Sequence, residues 1–285
     1  QTTAGLVRDE VVAHPVVAIS GLLFLLLLLE LRRRAPARIV AQAAVTRQIG
    51  EDHIGVTLNT LVWTLLAALP GPAVLAVVGE LLQRAGTPGR YSDSLGRAFG
   101  ALVLPLLSAQ MLSWTAIENG LGHAHFRWMR ARREAIRRIV PPAAAIVLPL
   151  FFVTALAFIR NLDLPNDVQA RISVVISCAV FAWAFWRLLD EGQVWVQRGV
   201  ETEPSMVRKF LRIALPLGAA FVAGLAVSGY VFSADVLFDA TLSTIGVLIA
   251  VVLAVGLLGR WFLLGERRLA LRQADERRAL AGQSD

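Results

Sequence analysis

Seven long apolar stretches run through this chain, at residues 15–31, 56–82, 98–117, 139–159, 172–186, 213–232 and 236–264. Most approach the roughly 20 residues that a helix needs to cross the hydrocarbon core of a bilayer. A soluble core has no use for so many uninterrupted apolar segments. Hydrophobic residues make up 56% of the chain and the mean hydropathy is +0.62. The pattern predicts an all-α membrane protein, a bundle or paddle of about seven transmembrane helices forming a single domain over 1–285.

The basic residues fall between alternate stretches. Arg32, Arg33, Arg34, Arg38 and Arg47 follow the first, and Arg127, Arg130, Arg132, Arg133, Arg137 and Arg138 follow the third. Arg187, Arg198, Arg208, Lys209 and Arg212 follow the fifth, and Arg260, Arg267, Arg268, Arg272, Arg277 and Arg278 close the chain. Thus 22 of the 28 Lys and Arg share one side. Cytoplasmic loops carry such an excess, so the N-terminus is expected outside (periplasmic) and the C-terminus inside. The first stretch does not read as a signal peptide, which places its charges before the apolar run. Here the Arg32-Arg33-Arg34 run comes after it. The chain opens on Gln1 rather than Met, so it is expected to be a processed or excised part of something longer.

The charge of +7 and the pI near 11.0 point to anionic lipid headgroups rather than nucleic acid, because the arginines are spread over four membrane-edge segments. No basic patch interleaved with aromatics is present, and no nucleic acid is expected as a partner. The lone cysteine, Cys178, lies within a span and is expected to pack between helices. His123-Ala124-His125 lacks the further ligands that a metal site needs. No phosphate loop, nucleophile elbow or paired-carboxylate constellation occurs, so no cofactor and no enzymatic activity are expected. Lys209 stands at a mouth of the bundle, not at the depth that a retinal Schiff base requires. The central thirds of the spans hold no ionisable residue, which argues against an ion-coupled transporter. Their small polar residues, among them Asn59, Thr60, Thr64, Ser108 and Gln110, are expected to join helices.

Between the spans, 34–54 is expected to hold a short surface helix with Ile39, Ala43 and Ile49 partly on one face. The segment 264–280 should extend the last span as a stiff helix, since 266–280 contain neither Gly nor Pro. Ser233-Ala234-Asp235 is expected to be the turn of a tight hairpin, with Asp235 as helix cap. Pro70, Pro72 and Pro216 are candidate hinges, because each removes a backbone donor from its helix.

Three patterns carry a family resemblance. They are the Thr-Leu-Asn-Thr-Leu-Val-Trp run to Leu-Pro-Gly-Pro over 57–75, then Gly-His-Ala-His-Phe-Arg-Trp over 122–128, then Ser-Gly-Tyr-Val-Phe-Ser-Ala over 228–234 with Arg-Trp-Phe-Leu at 260–263 and Glu-Arg-Arg-Leu-Ala at 266–270. In this order the chain resembles the N-terminal transmembrane domain of large, MscK-type members of the small-conductance mechanosensitive channel superfamily. The resemblance implies a bacterial inner-membrane protein of a homo-oligomer, a heptamer, whose outer helices form a lipid-facing, tension-sensing paddle acting in hypoosmotic protection. It also implies that the pore helix and the cytoplasmic vestibule are missing from these residues. Candidate coupling or lipid-interface residues are His125, Phe126, Arg127, Trp128, Arg260, Trp261, Arg267 and Arg268. Two other readings stand beside it: a transporter or receptor for a small apolar ligand, and a lipid-binding scaffold.

Overall fold

A computed structural model describes residues 15–46, 53–85, 91–160, 168–190 and 206–281. Among the described residues, helices and short turns account for almost everything and no strand occurs. In chain order the elements are α1 (Pro15–Val45), α2 (Ile54–Ala68), α3 (Pro70–Ala85), α4 (Tyr91–Ala101) and α5 (Val103–Thr115). A π-helical turn (Leu121–His125) follows, then α6 (Arg130–Ile159), α7 (Val168–Leu188), α8 (Met206–Val227) and α9 (Val231–Ala281).

Among the described residues, five helices are long and apolar enough to cross a membrane: α4 and α5 taken together as Tyr91–Thr115, then α6, α7, α8 and α9. The pair α2 and α3, bent by 49° where Pro70 and Pro72 withhold their N–H groups, passes the same test only when its two helices are counted as one span. The remaining apolar stretch, 15–31, is the start of α1. Counted from Ile19, any piece of bilayer length in α1 takes in Glu30 and Arg32-Arg33-Arg34.

Three expectations are corrected. The segment 34–54 does not start a separate surface helix, because α1 runs on through Pro36 to Val45. Ile39 and Ala35 are fully buried there against Ala67, with Trp63, Trp114 and Ile117 around them, so packing holds the helix together (Ile49 lies outside the described residues). The hairpin turn falls at Ser228-Gly229-Tyr230, not at 233–235. Gly229 takes φ +95°, the Gly229 N–H donates to the Ala226 carbonyl at 3.3 Å and the Tyr230 N–H to Leu225 at 2.9 Å. That is the Schellman closure, which favours glycine because the left-handed region lacks a Cβ penalty there. Asp235 is therefore no cap: it lies inside α9, buried beside Thr154.

Consecutive antiparallel hairpins build the bundle. The α3/α4 pair meets at Gly79 and Gly96, where a Cβ on Gly96 would stand 2.5 Å from the Gly79 carbonyl oxygen. Close approach through small residues is how helices associate when lipid supplies no hydrophobic drive. The main core joins α6 through α9: Phe238 packs on Phe151 and, edge-on at 5.3 Å, on Phe181, with Val174, Cys178, Val222 and Ala226 around it. Between the two halves runs α5, touching α2 and α3 on one side and α6 and α9 on the other.

Candidate functional site

At the arginine-rich end the link from α5 to α6 is wound as a π-turn. The Phe126 N–H donates five residues back to the Leu121 carbonyl at 3.0 Å. Asn119 and Arg127 bracket the turn in the left-handed region, at φ 57° and 54°. Arg127 holds its exposed side chain there at a backbone cost on the order of 1–3 kcal/mol. The reversal brings the Trp128 N–H onto the Gly122 carbonyl at 2.7 Å. The Trp128 ring then lies over Gly122, where a Cβ would come within 2.8 Å of it. π-helical winding is rare, and where it occurs it frequently marks a functional site.

The turn grips two separate helices. His125 is buried and points into α2: Nδ1 lies 3.0 Å from Thr57 Oγ1 and Nε2 lies 3.0 Å from Thr60 Oγ1. Thr60 donates its own proton to the Val56 carbonyl at 2.9 Å, so it accepts from Nε2–H. That assigns the Nε2–H tautomer, with Thr57 donating to Nδ1. Thr57, Thr60 and Thr64 follow helical spacing and are fully buried, one continuous polar stripe on α2. The neighbouring Phe126 goes the other way. Its ring fills a notch in α9 at Gly256, where a Cβ would be 2.8 Å from the ring. His123 stabilises the turn itself, accepting the Asn119 N–H at 3.0 Å.

The remaining candidates divide. Arg260 stands one turn beyond Gly256 on the inward face of α9 and is buried. Trp261 faces outward, stacked beside Phe262. The side chains of Arg267 and Arg268 lie outside the described ones, although α9 continues through both. Pro70 and Pro72 occupy the α2/α3 break, about 15 Å along α2 from Thr60. Pro216 sits in an unbroken α8 and joins none of these.

A second feature of this end escaped the sequence reading. Arginines lie over tryptophans: Arg32 over Trp114 at 5.7 Å, Arg38 over Trp63 at 5.9 Å, Arg132 over Trp128 at 6.0 Å and Arg212 over Trp186 at 4.7 Å. Arg212 also pairs with Asp190 at 3.1 Å. Such pairs suit the headgroup level, where one end of each side chain is apolar and the other wet. Trp128 also walls an apolar cavity of about 320 Å³ between α5, α6, α7 and α9, reached by Ala109, Ala144, Phe185 and Ile249.

A bent transmembrane helix, a wound turn locked to it, and a long outer helix held by the same turn define an all-α, multi-pass membrane domain. Residues 15–285 match the family described as mechanosensitive ion channel inner membrane domain 1, and the chain belongs to that family. It is similar to the miniconductance mechanosensitive channel MscM of Escherichia coli (strain K12), at 29% identity over 241 residues. That alignment covers 83% of this chain and 21% of the relative, so the chain spans about a fifth of the relative's length. No solved structure matches the chain significantly.

Proposed function

We propose that this domain senses bilayer tension and passes it to a conducting pore formed by other segments of an assembled mechanosensitive channel, acting when cells meet hypoosmotic shock. The observation that carries the reading is the π-turn, with His125 bonded to the bent α2 and Phe126 seated in α9. A tension sensor needs no buried charge and no catalytic group. It needs two arrangements that differ in their contact with lipid, because only a differential interaction biases an equilibrium. The 49° break at Pro70 and Pro72 supplies a place for helices to tilt. At 51 residues α9 is about 75 Å long, more than twice the hydrocarbon thickness, and carries displacement out of the membrane.

The charge pattern supports a periplasmic N-terminus and a cytoplasmic C-terminus. The family supports a homo-oligomer, a heptamer by resemblance. The arginine and tryptophan pairs support anionic lipid as the partner at the cytoplasmic face, with Arg267 and Arg268 as further candidates by sequence. The cavity lining on α9 runs from Leu242 to Leu253, about 16 Å or half the bilayer core, which suits one acyl chain.

Recording from membrane patches containing the full-length protein under graded suction tests the reading. Pressure-activated current is expected, and Phe126→Ala should raise the pressure needed. A full-length protein that inserts but passes no pressure-dependent current overturns it. The same cavity favours a second reading, a receptor for a small apolar ligand, which requires thermal stabilisation by a non-lipid compound that Ala144→Leu abolishes.

A further inference from the structure

The Pro70-Gly71-Pro72 break holds a feature that neither proline explains. The nearest atom to the position of a Gly71 Cβ is the side-chain amide nitrogen of Gln110, on α5, which overlaps that position outright. Leu106, one turn earlier on α5, sits behind it at 3.4 Å. So α5 drives a polar wedge into the gap that glycine leaves at the bend.

Backbone chemistry at this point is unusual. Pro70 and Pro72 have no N–H, so the carbonyls of Leu66 and Ala68, four residues earlier, lose their helical donors. The ladder resumes on either side: the Leu69 N–H donates to Leu65 at 3.0 Å and the Ala73 N–H to Leu69 at 2.8 Å. A proline break at membrane depth is tolerated where its surroundings compensate, and packing from a neighbouring helix is one such support. Gln110 also keeps its Oε1 buried without a hydrogen-bond partner among the described residues. A leucine of similar size would fill the same space without burying an orphan acceptor. A glutamine held here at that cost points to a role for its amide.

We infer that Gln110 is the positioning residue of the α2/α3 bend: its amide occupies the space of the absent Gly71 side chain and so holds the two helices at their angle. The angle of the bend is thus set from α5, and α5 is the helix that touches both halves of the bundle. A shift of α5 relative to α2 changes the bend. Only the consequence for gating rests on the tension-sensing reading; the bend itself does not.

The test is a steric complementation read as a distance. Spin labels on Arg84→Cys, at the far end of α3, and Val168→Cys, at the start of α7, are placed in a Cys178→Ser background of the full-length protein in lipid nanodiscs. A swing of about 10° moves the end of a 16-residue helix by about 4 Å, which pulsed dipolar spectroscopy resolves. Gly71→Ala should shift the distance by several ångströms, and adding Gln110→Ala, which makes room for the methyl, should return it. Gln110→Ala alone should shift it in the opposite sense to Gly71→Ala, and serves if Gly71→Ala fails to insert. An unchanged distance in either single variant, or no return in the double, overturns the inference. Suction thresholds of the same variants then separate the two ideas. Restored distance with no effect on any current leaves Gln110 as the setter of the bend and removes the tension reading.

Discussion

The His125 latch gives the sharpest prediction. In Thr57→Val the side chain keeps its shape and loses the hydroxyl that donates to His125 Nδ1 across 3.0 Å. Thr57 and His125 are both buried, so Nδ1 loses that donor in a place closed to solvent. An orphaned buried polar group costs about 1–3 kcal/mol. Thr60→Val takes an acceptor from Nε2–H, also across 3.0 Å, and should cost a similar amount. Each single change should therefore raise the population of turns released from α2 by about 5–150-fold. Hydrogen–deuterium exchange of the full-length protein in nanodiscs reads this at the Phe126 and Trp128 amides, whose carbonyl partners lie inside the turn. Making all three partners apolar, as Thr57→Val, Thr60→Val and His125→Phe together, should recover most of the protection, since the three polar groups that bond one another are then removed together. Leu58→Ala, on the exposed face of α2, is the control and should leave these amides unchanged. If Thr57→Val exchanges like the parent, or if the triple variant is the least protected of all, the hydrogen-bonded latch is not what holds the turn.

Two further outcomes are expected. Gly96→Ala should lower thermal stability in detergent by about 1–3 kcal/mol through overpacking, because its new methyl meets the backbone of Gly79 and Gln83 as well as the Gln83 side chain, and the backbone cannot swing aside. Gly100→Ala, one turn on with open space around it, should be neutral or gain up to about 1 kcal/mol from helix propensity; equal effects at the two sites would refute the close crossing. In a Cys178→Ser background, a cysteine at Arg130 should react with a membrane-impermeant thiol reagent only from the cytoplasm, and one at Arg84 only from the periplasm. The reverse pattern would overturn the assigned orientation.

Much of the bundle was legible because lipid imposes a simple rule: backbone polar groups must be satisfied within the segment, so long apolar runs become helices. The stops were harder. Polarity along the chain points to Ser233-Ala234-Asp235 for the hairpin turn, but a Schellman closure needs a left-handed residue, and Gly229 supplies it about five residues earlier. The early end assigned to the first helix, at its arginines, failed because charged residues are good helix formers and Ile39 is drawn onto Ala67. Thr57, Thr60 and Thr64 could have been found as a stripe from their helical spacing alone. Gln110 and Gly256 could not, since nothing local distinguishes a glutamine that fills a notch from one that bridges two helices.

What the amino-acid order determined by itself was therefore one-dimensional: which segments are apolar enough for a bilayer, which alternate loops carry the arginines, and where prolines break the ladder. These are properties of single residues and their neighbours along the chain. What only the tertiary structure decided was pairing. His125 meets Thr57 and Thr60 across more than sixty residues of sequence. Phe126 meets Gly256, Gln110 meets Gly71, and four arginines each meet a tryptophan from another segment or their own. Within lipid, apolar burial alone does not select such partners, because a tail is as good a neighbour as a leucine. Close fit at small residues and the demand that buried polar groups find one another make the selection, and both depend on geometry that exists only once the helices have packed.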